Sequence, residues 1–133
     1  MNEVNKKFLK DSHLIIELKL CTVRLLDNFR FPWIILIPKR KNITDIFQLK
    51  KIDQNLLMQE IVYSSKIMKK TFPTFNLNVE KIGNVISQLH IHVISRSKKD
   101  SAWPLPVWGV KKKTYTKSIL NENIVKLQKA FKV

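Results

Sequence analysis

Residues 88–94 read QLHIHVI, an alternation of polar and apolar side chains. A period of two is typical of a β-strand that buries one face. On such a strand Gln88, His90 and His92 point to one side, and the aliphatic residues between them point to the other. At ~3.3 Å per residue, the Cβ atoms of the two histidines lie about 6 to 7 Å apart. Both imidazoles can then reach one phosphate group.

This histidine pair has the chemistry for nucleophilic attack on phosphorus. An imidazole with an ordinary pKa of ~6.5 offers a neutral, nucleophilic nitrogen at neutral pH. Attack by His90 would divide one difficult displacement into two steps through a phosphoramidate. His92 could hydrogen-bond the phosphate oxygens or protonate the leaving group. Spacing alone leaves two other interpretations open: a half-exposed strand whose histidines have no function, and a zinc-binding pair that has no evident third ligand nearby.

The apolar segments around this stretch predict further strands. Residues 14–26 and 33–37 are dense in aliphatic and β-branched residues, and together they predict two or three strands. Residues 77–82 and 89–95 predict two more strands, joined by a turn at Gly83-Asn84. The second pair should therefore form a hairpin.

Two segments have helical periodicity. The first predicts a main helix over Asp53–Thr71, with Asp53 as its N-cap and residues 44–48 as a preceding turn. The second predicts a C-terminal helix with Ser118 as its N-cap and an apolar stripe of Leu120, Ile124, Leu127 and Phe131. Between them, residues 97–109 are too rich in proline for regular structure. Because Trp103, Val107 and Trp108 favour burial, this segment is predicted to be an ordered arm.

The composition is that of a small basic protein. The 133 residues suit one compact domain over 1–133, and the formal charge of +15 should attract anions. The lone cysteine, Cys21, excludes an internal disulfide and is expected in the core. His13 is expected to be solvated. With no signal peptide and no apolar run long enough to span a bilayer, we expect a cytoplasmic protein without membrane contact.

Residues 88–94 resemble the signature of the histidine-triad (HIT) hydrolases and transferases, in which three histidines alternate with hydrophobic residues and two hydrophobic residues follow. Aligned on Val93-Ile94, His92 matches the third histidine and His90 the middle one, while Gln88 replaces the first. The resemblance, to a bacterial branch of the family, extends over nearly the whole chain: 27–33 (DNFRFPW), 34–40 (IILIPKR), 77–79 (LNV), 83–85 (GNV) and 102–109 (AWPLPVWG).

The resemblance implies roles for other residues. The nucleophile is His90, whose second ring nitrogen is held in the family by a backbone carbonyl of the same strand. One of Asp27 and Asn28 would hold the ribose, although either can equally be a turn-stabilising residue. Further nucleotide contacts are implied for Asn78, Asn84 and Trp103, the last of which is otherwise a core residue. An amide at Gln88 cannot titrate, so the rate or the leaving-group preference should differ from that of a full triad.

The family also implies a HIT-like α+β fold, with a mainly antiparallel sheet of about five strands, one main helix and a C-terminal helix. The expected activity is hydrolysis of dinucleoside polyphosphates or nucleoside phosphoramidates at the α-phosphate through a nucleotidyl-histidine, without metal or cofactor, in a homodimer. Transfer of the nucleotidyl group to another acceptor is a variant of this activity. Two alternatives are a nucleotide-sensing module without turnover and a basic nucleic-acid-binding protein. The latter is less favoured because the cations are scattered.

Overall fold

The computed structural model describes residues 4–132 and has an α+β fold, as expected. Five antiparallel strands form one sheet in the order β1-β2-β3-β5-β4. The strands are β1 (Ser12–Glu17), β2 (Cys21–Leu26), β3 (Trp33–Pro38), β4 (Asn76–Glu80) and β5 (Ile91–Arg96). The helices of the described residues are α1 (Lys6–Asp11), α2 (Lys51–Thr71) and α3 (Lys117–Phe131), with short 3₁₀ turns at Ile46–Gln48 and Val107–Gly109.

Both faces of the sheet are covered. The central strand, β3, is therefore buried on both sides, and all its residues are apolar. All six residues of β3 are buried. Helices α2 and α3 pack on one face, where the core includes Ile91 and Val93 of β5. The other face is covered by α1 and the arm, in a second core that includes Phe8, Trp33, Ile94 and Val107. Because neighbouring residues of a strand point to opposite faces, His92 lies on the second face.

The predicted helices are confirmed, but both begin earlier than expected. Helix α2 begins at Lys51, and Asp53 lies inside its first turn rather than at the N-cap. Its carboxylate instead forms an ion pair with Arg40, 2.8 Å from Nε, and a negative charge is favourable in a first turn. Helix α3 is capped by Thr116, whose hydroxyl accepts from the Ile119 N–H, and not by Ser118.

The predicted hairpin is confirmed as a pairing, but its connection is much longer than a turn. Strands β4 and β5 pair antiparallel, with Glu80 opposite His92, and residues 81–90 join them. Strand β5 begins at Ile91, so the prediction that Gln88 and His90 lie on the strand is wrong. The preceding segment pairs elsewhere, since the Leu89 N–H donates to the carbonyl of Ile43.

Candidate active site

His90 and His92 line a single cavity of about 500 Å³ on the face of the sheet that α1 covers. Its walls come from α1, from β2 and β3, from residues 82–86 and from Trp108. Most of the lining is apolar. The polar side chains other than the histidines are Lys7, Asp11 and Asn84.

His90 is buried, and its two ring nitrogens differ. Nδ1 lies 2.7 Å from the carbonyl oxygen of Gln88, which can only accept a hydrogen bond, so Nδ1 carries the proton. Nε2 is then left with an unshared electron pair. Burial is the main factor that lowers the pKa of His90, the hydrogen bond to Gln88 acts against it, and the charge of Lys81 lowers it further. His90 is therefore neutral at pH 7, in the form a nucleophile requires.

His92 has the opposite tautomer. The indole N–H of Trp33 donates to its Nδ1 at 3.0 Å, and an indole nitrogen can only donate. The proton of the neutral ring therefore sits on Nε2. Burial, with a smaller contribution from His90, lowers the pKa of His92 to about 3. The two ring centroids are 4.8 Å apart, so a nucleophilic nitrogen lies beside a neutral hydrogen-bond donor.

Two tryptophans enclose His92. Trp108 contacts His92 and Trp33 edge-on, with ring centroids 5.0 and 5.1 Å away. Its indole N–H donates to Glu80, which is opposite His92 in the sheet register. Sequence reasoning missed Trp33 and Glu80 as site residues. The strand pattern of residues 33–38 could have shown that Trp33 faces one side of the sheet, but not which side.

Gln88, which replaces the first histidine of the triad motif, lies outside the cavity lining. The Gln88 side-chain oxygen accepts a hydrogen bond from the backbone N–H of Asn5, at 2.9 Å, and so contacts the start of α1. Its backbone carbonyl nevertheless holds His90, as the resemblance implied.

Among the predicted phosphate contacts, Asn84 lines the cavity with an exposed side chain. Asn78 shares a sheet face with His92, but its side-chain oxygen accepts from Arg96 at 2.8 Å. Trp103 lies in a separate groove beside β4, where Arg96 and Phe75 contact its ring. The described residues thus bring Asn84 to the histidines and leave Asn78 and Trp103 apart from them.

The two predicted ribose residues hold other parts of the chain. Asp27 accepts from the Tyr115 N–H at 2.9 Å and lies 3.5 Å from the half-buried ring of His13, which is less solvated than expected. Asn28 is buried and accepts from the Arg30 N–H, which stabilises its turn. Neither residue is part of the cavity lining.

The arm is ordered, as predicted, and a buried ion pair holds it. Arg96 and Asp100 are 2.7 Å apart, with side chains only 2% and 7% exposed. Asp100 also accepts from backbone N–H groups of the arm, at Ser97, Ala102 and Trp103. Val107 is buried, but Trp108 is 48% exposed, so the expectation that Trp108 is buried is wrong. It is exposed because it stands at the cavity.

Residues 4–132 contain neither a metal-binding cluster nor a membrane-spanning helix. No group of three or more His, Cys, Asp or Glu residues there is placed to hold a metal ion. In the same part of the chain, no helix has the length and the apolar character needed to cross a bilayer. Cys21 is fully buried, as expected for a core residue.

The fold and this site define an α+β protein with a histidine pair at an apolar cavity. Residues 7–99 match the HIT domain, and the chain belongs to the histidine-triad family. Three solved histidine-triad proteins are similar over almost their whole length. They come from Sinorhizobium meliloti 1021 (31% identity, TM-score 0.94, 98% of this chain and 97% of that one), Bradyrhizobium japonicum (30%, 0.93, 96% and 96%) and Marinobacter aquaeolei VT8 (34%, 0.93, 98% and 96%). No curated protein matches significantly.

Proposed function

We propose that this protein cleaves nucleotide conjugates at the α-phosphate through a covalent nucleotidyl-His90 intermediate. The conjugates are dinucleoside polyphosphates or nucleoside phosphoramidates. One observation carries the proposal: the Gln88 carbonyl accepts a hydrogen bond from the Nδ1–H of His90, which leaves Nε2 of this buried ring unprotonated at the cavity. A nucleophile held in its reactive tautomer needs no further base.

The reaction has two steps. In the first, His90 Nε2 forms a bond to the α-phosphorus, and the bond from phosphorus to the leaving group breaks; a polyphosphate departs as its stable anion, whereas an amine takes up a proton from solvent as it departs. The ring becomes a cation, and its Nδ1–H bond to the Gln88 carbonyl is then charge-assisted and stronger. In the second, water attacks phosphorus, the N–P bond breaks, and the products are a nucleoside monophosphate, neutral His90 and a proton released to solvent.

His92 supports the first step as a neutral donor. Its Nε2–H suits a non-bridging phosphate oxygen, on which negative charge gathers in the transition state. With a pKa of about 3, the ring is not an imidazolium at neutral pH and cannot supply a proton as a strong acid. Leaving groups that depart as stable anions should therefore react fastest.

The cavity supports a nucleoside ligand. Its volume of about 500 Å³ is in the range of small-molecule sites, and its mainly apolar walls suit the faces of a base. Lys7 is the cation of the lining, and Asn84 adds an amide. These two residues are suited to the phosphate end of the conjugate.

The test is to trap the intermediate. The protein is incubated with a panel of adenosine and guanosine phosphoramidates and dinucleoside polyphosphates, and products are identified by mass. A parallel sample is quenched at alkaline pH, where phosphoramidates survive, and digested. We expect a nucleoside monophosphate product and a nucleotidyl mass on the peptide that carries His90. An adduct elsewhere, or turnover without an adduct in rapid-quench samples, would contradict the proposal; binding without turnover would indicate a sensing module.

A further inference from the structure

Helix α1 is anchored at its start by the side chain of Gln88. The Gln88 side-chain oxygen accepts from the backbone N–H of Asn5 at 2.9 Å. Asn5 is the N-cap of α1: its side chain accepts from the Lys7 N–H, and its carbonyl accepts from the Phe8 N–H at 3.0 Å. The first turn of the helix is thus built on the residue that Gln88 holds.

Helix α1 is also the wall of the cavity beside the nucleophile. Phe8 is 4% exposed, and its ring packs edge-on against His90 with centroids 4.7 Å apart. Lys7 and Asp11 line the cavity from the same helix. Six residues are far too few for a helix to be stable alone, so the position of α1 depends on its tertiary contacts.

The far end of α1 has its own attachment. The Ser12 hydroxyl donates to the carbonyl of Phe8, and Arg24 donates to the same hydroxyl from Nε at 2.7 Å. The end near Asp11 is therefore joined to the sheet through β1 and β2. Loss of the Gln88 contact would release the beginning of the helix and leave this end in place.

We propose that Gln88 is a positioning residue whose side-chain oxygen holds α1 against His90 and so sets the exposure of the nucleophile and the fit of the cavity to its ligand. One residue then does two things: its carbonyl selects the His90 tautomer, and its side chain places the wall beside that ring. An amide does not titrate, so the anchor is independent of pH. The ligand part of this proposal rests on the proposed function; the exposure part does not.

The first experiment measures the exposure of His90 without any nucleotide. Wild type and Gln88→Met, which has a similar length and no oxygen, are treated with diethyl pyrocarbonate, and modification of His90 is followed by mass spectrometry with His13 as the internal reference. A hydrogen bond of ordinary strength should change the population of open helix by about 3- to 10-fold. We expect the His90 to His13 ratio of rates to rise by that factor.

A second pair of variants isolates the same bond from its other side. Asn5 has φ −52°, which proline can adopt, so Asn5→Pro removes the backbone N–H at a compatible φ. Asn5→Ala loses the same side-chain cap and keeps the N–H, so it is the matched control. Asn5→Pro should raise His90 modification above the level of Asn5→Ala. In the double variant, Asn5→Pro should add little to the effect of Gln88→Met, because both changes remove the same hydrogen bond.

The results separate this proposal from the proposed function. An unchanged His90 rate in Gln88→Met, additive effects, or equal increases at His90 and His13, would each overturn the positioning role. If it holds and the cavity binds nucleotide, AMP affinity measured by calorimetry should weaken in Gln88→Met by the factor by which the closed population falls, which approaches about 3- to 10-fold only where the open helix predominates. If His90 exposure rises as expected but wild type binds and turns over no nucleotide, the positioning role stands and the proposed function fails. AMP affinity at the wild-type value in a variant whose His90 rate shows that the open helix predominates would overturn the ligand part.

Discussion

At the scale of single residues, one hydrogen bond decides the chemistry of each histidine. His90 donates to a carbonyl and keeps its Nε2 electron pair, whereas His92 accepts from the Trp33 indole and keeps its Nε2 proton. Both rings are buried, and burial lowers the pKa of both. Two identical side chains in the same cavity are therefore suited to different roles, His90 as a nucleophile and His92 as a hydrogen-bond donor.

Replacing the nucleophile should affect turnover far more than binding. His90→Asn removes the atom that forms the bond to phosphorus, so we expect kcat/KM to fall by at least on the order of 10⁴-fold. AMP affinity should stay within a few-fold, because the loss falls on the transition state. The measurements are steady-state kinetics and calorimetry. As a comparison, His92→Asn should cost less, on the order of 10² to 10³, as for one hydrogen-bond donor to the transition state. If His90→Asn keeps most of the wild-type rate, His90 is not the nucleophile.

The buried rings should also make the fold sensitive to mild acid. Folded His92 has a pKa of about 3, whereas an unfolded imidazole titrates near 6.5, so the unfolded state binds more protons between these values. The stability that the neutral, buried His92 ring contributes is therefore fully present above about pH 6.5, and it is lost as the pH is lowered towards 3. We expect the free energy of unfolding to drop by about 2 kcal/mol from pH 6.5 to 4.5, as measured by urea titration. His92→Gln should make the free energy of unfolding depend less steeply on pH. An equal pH dependence in wild type and His92→Gln would show that His92 is not the cause.

At the scale of elements, periodicity predicted α2 and α3 better than their ends, and it did not predict the short helix α1. The apolar stripe of α3 is buried or partly buried as expected, with Leu127 and Phe131 in the core. The helix starts were misplaced because several residues near each start can act as a cap, and tertiary contacts choose among them. Asp53 pairs with Arg40, which comes from the end of a strand and not from the helix.

The arm should lose its order when its ion pair is broken. Arg96 and Asp100 are both almost fully buried, and removing one leaves an unpaired buried charge. Asp100→Ala also removes the acceptor of several arm N–H groups. We expect a loss of about 3 to 5 kcal/mol in guanidinium denaturation.

The control is an exposed ion pair of the same spacing. Lys126 and Glu122 lie 3.3 Å apart on α3 with half-exposed side chains. Lys126→Ala should change the free energy of unfolding by less than about 0.5 kcal/mol. Similar values for Lys126→Ala and Asp100→Ala would mean that burial of the pair does not matter.

At the scale of the whole molecule, exposed apolar side chains around the arm favour a two-fold dimer. Leu105 is 67% exposed, Phe75 60% and Trp108 48%. Exposed apolar side chains that cluster on one surface are typical of an interface, and two-fold pairing is the commonest arrangement. We expect each arm to pack against the partner subunit, beside its helix or its site.

Sedimentation tests this at micromolar concentration. Wild type should sediment as a dimer, and Leu105→Glu should shift the equilibrium to monomer by placing a charge in the interface. Val125→Glu is the matched control, since Val125 is 46% exposed on α3, away from the arm. A wild-type monomer, or equal dissociation in both variants, would count against an arm-mediated dimer.

The sequence by itself determined what depends on local pattern. Alternation in residues 88–94 placed the two histidines together, helical spacing identified α2 and α3, and apolar runs predicted the strands of an antiparallel sheet. These signals are local because a residue's neighbours at two, three or four positions away share its face of a strand or helix. The resemblance to the histidine-triad signature is carried by the same residues, 88–94.

Only the tertiary structure decided the environment of the histidines. Helix α1 packs against His90 although it is remote in sequence, Trp33 reaches His92 from another strand, and Gln88 turns its side chain to Asn5. Asp27 and Asn28 likewise have partners that no local pattern reveals, such as the Tyr115 N–H. A tautomer or a cavity wall is set by which hydrogen-bonding group the folded chain brings within about 3 Å. That choice depends on long-range packing, and periodicity along the chain does not record it.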